Sequence, residues 1–296
     1  MPRPNARNLL VTFDAFGTLF KPRLPVPLQY IAVAEEYGVT GLAEKQVNSS
    51  FKEAFAEGSK LFPNYGKSVG MRPAEWWERI IRRTLEPLVP DGLTVSIISD
   101  LIRRFSTSAG YELYGDVIPC LEFLQHFRSR QASFWPYGTV TVGIITNSDS
   151  RVVPILNSLS IGVRSSTSKT GWEEALWIDP KETPPPKRKP GRPRKKPLVE
   201  PKLEIDFVAL SYDVGVEKPH HKIFREAERM AKECRNLEGP WTRIHLGDDV
   251  TKDYYGAKLA GWKAVLVCRD GNSPKNQGMV TVRDFRSIRQ LCELLL

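Results

Sequence analysis

Asp14 ends the apolar run LLVTFD, and Phe16 follows two residues later in the Gly-containing turn DAFGTLF. Thr146 and Asn147 end TVTVGIITN, and Lys218 stands in the loop GVEKP. Asp248 and Asp249 end TRIHLGDD, with Asp253 one helical turn further on. The set is a carboxylate able to act as a nucleophile, a hydroxyl, a lysine and paired acids. It would suit attack on an electrophile whose charge must be neutralised. None of these residues is specific alone, because an Asp at a strand end commonly caps or turns the chain. Their order, and their shared place where apolar runs end, is what makes the set informative.

The elements that must hold them follow from hydrophobic patterning. LLVTFDAF is a short apolar run of the kind a buried strand requires. From about Val26 to Arg104 the period is helical, in LQYIAVAEEYG, EKQVNSSFKEAFAEG, PAEWWERIIRRTLEPL and SIISDLIRRF. From Asp116 onward strands and helices alternate. DVIPCLEFLQHFRSR is helical and TVTVGIITN extended. SDSRVVPILNSL is helical, with Ser148 or Asp149 as N-cap. IDFVAL, TRIHLGDD and KAVLVC are strands. KPHHKIFREAERMAKEC, TKDYYGAKLAG and a final VRDFRSIRQLCELL are helices. Apolar strands alternating with helices predict an α/β fold, a Rossmann-like parallel sheet covered on both faces. Ligands of such sheets bind beyond the carboxyl ends of the strands. The expected division is an α/β core over 1–22 and 113–296, a helical segment over 23–112, and a Pro- and Lys-rich insertion over 164–203 expected to be disordered.

With these motifs in place the sequence resembles the haloacid dehalogenase superfamily over nearly its whole length except the insertion. DAFGTL matches the first family motif, ITNSD the second, EKPHHKIF the third and GDDVTKDYYGAKLAGW the fourth. The helical segment then resembles the family's cap. The resemblance implies roles position by position. Asp14 would be the nucleophile that forms a covalent aspartyl intermediate. Thr146 would hydrogen-bond an anionic substrate oxygen, Asn147 would shape that pocket, and Lys218 would neutralise charge. Asp248, Asp14 and the backbone carbonyl of Phe16 would hold Mg²⁺. Asp249 or Asp253 would bind an outer water or orient Lys218.

Phe16 departs from the phosphatase pattern, in which a second Asp two residues after the nucleophile protonates the leaving oxygen. General acid–base help is worth about 10²–10⁴-fold, and phenylalanine supplies none. The expectation is a Mg²⁺-assisted hydrolase of a small phosphorylated substrate with a good leaving group. Two alternatives use the same residues. The family's metal-independent 2-haloacid dehalogenases carry an aromatic residue at this place, and a scaffold of the same fold needs no catalysis. His220 and His221 are expected to face solvent and His245 to lie in the core. FPNYG and Trp76–Trp77 are expected to pack the helical segment, with Asn64 and Tyr65 alternatively facing a substrate.

Composition bounds the remaining choices. The 296 residues, 41% hydrophobic and 26% charged, are ordinary for a globular chain, and no apolar run approaches a bilayer span. The first strand begins near Leu9, which leaves little room for a transit peptide. Four cysteines without CxxC spacing fit a reducing, intracellular setting. The net charge is +9, and seven of the basic residues crowd into Lys187–Lys196, so the rest of the chain is close to neutral. That segment, KRKPGRPRKK, resembles an AT-hook centred on Lys189, Gly191, Arg192, Pro193 and Arg194, with Pro190 where the usual core has arginine. Three readings are open: a solvated loop without a partner, a nuclear import signal, or weak contact with A·T-rich DNA, with nucleus or cytoplasm as the location. If it is a hook, binding to A·T-rich duplex should weaken with salt and with Arg192→Ala. Equal, negligible binding of A·T-rich and G·C-rich duplexes by both proteins in a salt titration rejects DNA contact.

Overall fold

The computed structural model of the protein describes residues 7–89, 92–129, 137–167, 203–235, 240–271 and 278–286. The chain begins with β1 (Arg7–Phe13) and β2 (Phe20–Pro22). The helices α1 (Val26–Glu36), α2 (Glu44–Leu61), α3 (Pro63–Gly66), α4 (Pro73–Leu85) and α5 (Val95–Arg104) follow, and then β3 (Tyr111–Leu113). The second half runs α6 (Val117–Ser129), β4 (Tyr137–Thr146), α7 (Val152–Ser158), β5 (Ile161–Val163), β6 (Leu203–Ile205), β7 (Phe207–Leu210), α8 (Ser211–Val214) and α9 (His221–Arg235). It continues with β8 (Trp241–Gly247), a π-helical turn over Val250–Tyr255, α10 (Gly256–Leu259), β9 (Lys263–Val267) and β10 (Thr281–Val282).

Six strands form one sheet in the order β10-β9-β8-β1-β4-β7, with every neighbouring pair parallel. This is the sheet that the alternating pattern predicts. From Asn8 onward β1 is buried because both faces are covered, with Leu9, Leu10, Val11 and Phe13 all excluded from solvent. From β1 the chain steps outward to β4 and β7, then returns to β8 on the opposite side of β1. The connectivity therefore reverses beside β1, where such sheets open a crevice at their carboxyl ends.

The helices α1 to α5 lie between β2 and β3, which pair antiparallel, Phe20 opposite Leu113 and Pro22 opposite Tyr111. Periodicity alone did not reveal these three-residue strands. α4 begins at Pro73, where a missing N–H costs nothing, and the Glu75 carboxylate accepts from the Arg72 backbone N–H at 3.1 Å. The Thr94 hydroxyl caps α5 by accepting from Ile97 N–H at 3.3 Å. Val47, Ala54, Trp76, Ile80, Ile81 and Leu85 form the buried seam of these helices.

Several local expectations change. IDFVAL is split by Asp206, whose carboxylate accepts from Val142 N–H at 2.8 Å, so β6 and β7 are separate strands. Within the expected insertion, Arg164–Thr167 are ordered by backbone bonds to β6 and β7, including Arg164 N–H to Ile205 O at 3.0 Å. Residues 168–202, which carry the hook-like segment, lie outside the described residues. The helix expected from Val282 is not helical up to Arg286, and Thr281–Val282 pair with β9 instead. Its remainder lies outside the described residues. Ser148 does not cap α7, whereas Asp149 Oδ1 accepts from the Arg151 backbone N–H at 3.0 Å ahead of the helix, and the same carboxylate also binds the Arg151 guanidinium.

One buried ion pair fixes the turn after β1. Arg269 donates to both Asp116 oxygens at 2.8 and 2.7 Å and to Thr18 O at 2.6 Å. The Tyr114 and Phe285 rings flank its guanidinium at 4.2 and 4.5 Å. Removing one partner strands a buried charge. Arg269→Met should therefore cost about 3–5 kcal/mol in urea unfolding, and a loss below about 1 kcal/mol contradicts this role.

Candidate active site

Asp14 leaves the carboxyl end of β1 with its N–H bonded to Leu246 O on β8 at 2.8 Å. The turn that follows requires Gly17, which has φ 77° and no room for a Cβ against the Asp248 carboxylate. That close approach brings the end of β8 to the Asp14 turn. Thr18 Oγ1 donates to Asp248 Oδ1 at 3.1 Å and holds it there.

Lys218 joins the two halves of the site. Its Nζ donates to Asp14 Oδ1 at 2.6 Å, Asp253 Oδ1 at 2.6 Å and Ile145 O at 2.7 Å. All three ammonium protons thus have partners, in a pocket where Lys218 is only 3% exposed. Asn147 grips the Lys218 backbone from both sides: Asn147 Oδ1 accepts from Lys218 N–H at 2.6 Å, and Nδ2 donates to Lys218 O at 3.0 Å. Asn147 therefore positions the lysine loop. Thr146 is buried at the end of β4, in register with Leu210.

Asp253 is brought under Lys218 by the π-helical turn, and its Oδ2 accepts from Asp249 N–H at 2.9 Å. Its Oδ1 also faces His245 Nε2 at 3.2 Å, and His245 Nδ1 lies 2.9 Å from Thr12 Oγ1. With Thr12 donating to Nδ1, Nε2–H donates to Asp253. The core position expected for His245 is correct, but the histidine also belongs to the site. Its only sequence signal is a polar residue inside an apolar strand. Asp249 is separate: its Oδ1 caps the π turn by accepting from Thr251 and Lys252 N–H, each at 2.8 Å. Of the two acids considered for orienting Lys218, the geometry selects Asp253.

The electrostatics follow from burial and these contacts. Asp14, 8% exposed, is pushed up to about 6, because burial and the nearby carboxylates outweigh the pull of Lys218. Burial also raises Asp253, but Lys218 and His245 overcome it and hold the group well below the usual carboxylate range. Burial lowers His245 and keeps it neutral. Burial opposes the Lys218 charge, yet Asp14 and Asp253 together hold its pKa above the ordinary value. Asp248 is raised by desolvation and then by Asp253.

Oxygens of Asp14, Asp248 and Asp253 lie within 4.8 Å of one another. Three carboxylates against one ammonium leave an excess of negative charge, and the donors are hard oxygens. Both features fit a small divalent cation such as Mg²⁺. With Asp253 committed to Lys218, His245 and the Asp249 N–H, Asp14 and Asp248 are the side chains free to share it. The Phe16 carbonyl lies on the same turn.

Phe16 packs edge-on against Phe20 and Tyr111, with ring centroids at 4.7 and 5.4 Å. It occupies the hydrophobic neck below the helices and offers no proton. His220 and His221 are exposed, as expected. The helices contribute to the crevice in a way the sequence did not disclose. Asn64 and Tyr65 bond to Ser211 and Asn147, and Trp77 Nε1 donates to Asp149 Oδ2 at 3.0 Å.

Known proteins share this architecture. The chain is 30% identical over 266 residues to an uncharacterized hydrolase of Schizosaccharomyces pombe, spanning 89% of this chain and 92% of that one. It is 26% identical over 260 residues to haloacid dehalogenase-like hydrolase domain-containing protein 3 of Xenopus laevis, spanning 87% and 83% respectively. Among solved structures, the HAD-hydrolase YfnB of Bacillus subtilis, bound to magnesium, superposes with a TM-score of 0.56 at 14% identity, over 97% of this chain and 99% of that one. That likeness concerns the fold. No family model matches the chain.

Lys218→Met tests the charge balance. Without the ammonium, Asp14 and Asp253 face each other, and their folded pKa values stand above the unfolded value of about 3.9. The folded variant then takes up protons that its unfolded chain does not, so its stability should fall as pH rises from about 5 to about 8. The deficit relative to wild type should reach about 3–5 kcal/mol at the upper end. Urea titrations giving the two proteins the same pH dependence contradict the assigned contacts.

Proposed function

We propose a function from a premise its relatives supply: the chain belongs to the haloacid dehalogenase superfamily of hydrolases. It is a hydrolase that uses Asp14 as nucleophile on a small phosphorylated substrate whose leaving group departs without protonation. The observation that carries this reading is the geometry around Lys218. One oxygen of Asp14 is tied to the ammonium and the other is left to react, beside a cluster of acids suited to a cation.

Lys218 fixes the Asp14 carboxylate in one rotamer and stabilises its ionised form against burial. The reacting Asp14 oxygen forms a bond to phosphorus as the bond to the leaving oxygen breaks. Water then cleaves the aspartyl phosphate, releasing phosphate and restoring Asp14. Thr146 is the donor for a phosphoryl oxygen, and Lys218, whose three protons are already engaged, contributes its positive charge. Held by Asp14 and Asp248, Mg²⁺ would add charge neutralisation for those oxygens. Phe16, two residues after Asp14, offers no proton, so an aryl or acyl phosphate fits and an alkyl phosphate does not.

A metal-independent 2-haloacid dehalogenase is the second reading, favoured by Phe16, because halide leaves unprotonated. Asp248 weighs against it: a second acid beside Asp14 hinders an uncompensated nucleophile.

With Mg²⁺, the wild type should hydrolyse p-nitrophenyl phosphate and Asp14→Asn should not. Phe16→Asp should raise the rate on an alkyl phosphate by about 10²–10⁴-fold relative to the aryl substrate. Identical rates for wild type and Asp14→Asn across phosphates and 2-haloacids would leave only a scaffold. Halide release by the wild type in EDTA would favour the dehalogenase.

A further inference from the structure

Three consecutive residues in α3 hold left-handed backbone. They are Asn64 (φ 48°, ψ 50°), Tyr65 (φ 58°, ψ 28°) and Gly66 (φ 74°). Glycine enters this region freely, whereas Asn and Tyr do so only when surrounding contacts over-determine them. Those contacts run outward, to the strand ends that bear the site. Asn64 Nδ2 donates to Ser211 O at 2.8 Å, and Ser211 Oγ donates back to Asn64 Oδ1 at 2.8 Å. Tyr65 OH donates to Asn147 O at 3.2 Å. Beside them, Tyr212 OH donates to Met71 O at 2.8 Å. Trp77 lies under the Arg151 guanidinium at 4.0 Å while donating to Asp149.

Packing among the helices accounts for part of this turn. The Tyr65 ring meets Trp76 edge-on at 5.2 Å, and Trp76 Nε1 donates to Phe62 O at 3.2 Å. It accounts for neither the reciprocal amide–hydroxyl pair with Ser211 nor the Tyr65 hydroxyl on Asn147 O. Two of these three bonds end on backbone carbonyls at the carboxyl edge of the sheet. The path continues inward. The residue whose carbonyl Tyr65 holds is the one whose side chain clasps the Lys218 backbone, and Lys218 Nζ holds Asp14.

We propose that Asn64 and Tyr65 are positioning residues for the catalytic centre. Their left-handed turn clasps the ends of β4 and β7 and thereby sets the Asn147–Lys218–Asp14 alignment. Their effect on turnover rests on the hydrolase reading above, whereas the clasp itself does not. Neither side chain needs to touch the substrate, so losing the clasp should lower kcat and leave KM nearly unchanged.

The test uses the full chain carrying Asn64→Gly and Tyr65→Phe together. Glycine keeps the left-handed backbone without strain, and phenylalanine keeps the ring on Trp76, so the fold is retained while three hydrogen bonds are lost. Hydrogen exchange should quicken about tenfold or more across 62–71 and also across 211–218, with β1 and β8 unchanged. With p-nitrophenyl phosphate and Mg²⁺, kcat should fall about tenfold while KM stays within about twofold. Faster exchange confined to 62–71 with unaltered kcat would reduce the turn to helix packing and overturn the proposal. Unchanged exchange in both segments would also overturn it. If the wild type proves inactive on the aryl phosphate, coupled exchange in 211–218 still supports the clasp, and the hydrolase reading alone fails. As a control on backbone strain, Asn64→Ala should melt below Asn64→Gly, because alanine keeps the left-handed cost and loses the same bonds.

Discussion

A single buried ammonium group governs this site. Lys218 Nζ has three protons and three acceptors, two of them carboxylates from opposite ends of the fold's logic. Asp14 arrives directly from the central strand, and Asp253 arrives on a π-helical turn after β8. Taking these charges out of water is costly, and only close pairing offsets that cost. The surrounding structure is therefore arranged to keep the lysine in place. Asn147 holds its backbone on both sides, and His245, neutral and buried, shares Asp253 Oδ1 with the ammonium. Asp14 is left ionisable but disfavoured by burial, a condition that a bound cation would relieve.

Phe16 shows what the missing acid was exchanged for. Its ring joins Phe20 and Tyr111 at the neck formed by β2 and β3, so the nucleophile's own turn is packed into the base of the helical segment. Arg269 reinforces that turn from the other side through Thr18, the residue that also holds Asp248. Packing and charge thus converge on the eight residues from Phe13 to Phe20. An acid at this position would gain a proton donor and lose that apolar packing.

Much of the fold was legible because parallel sheets leave an unmistakable mark: apolar strands alternating with amphipathic helices. β2 and β3 were not legible, since three-residue strands carry no period. Nor was the break at Asp206, where a buried carboxylate on a backbone N–H replaces a ladder bond. Asp149 resembled an N-cap in sequence; its carboxylate does accept the Arg151 backbone N–H, but the pairing with the Arg151 guanidinium was not legible.

The sequence by itself determined which chemical groups stand at strand ends and in what order, because strand-end positions follow from local pattern and the sheet's direction follows from the alternation. It also determined that no acid follows Asp14 at two residues. Only the tertiary structure decided which acid serves Lys218. Asp249 and Asp253 differ by four residues in sequence, yet the π turn aims one inward and leaves the other capping the turn. It likewise decided that Asn64 and Tyr65 reach the carbonyls of Ser211 and Asn147, just beyond β7 and β4. That contact joins residues more than 80 apart through a left-handed backbone that no local preference would select.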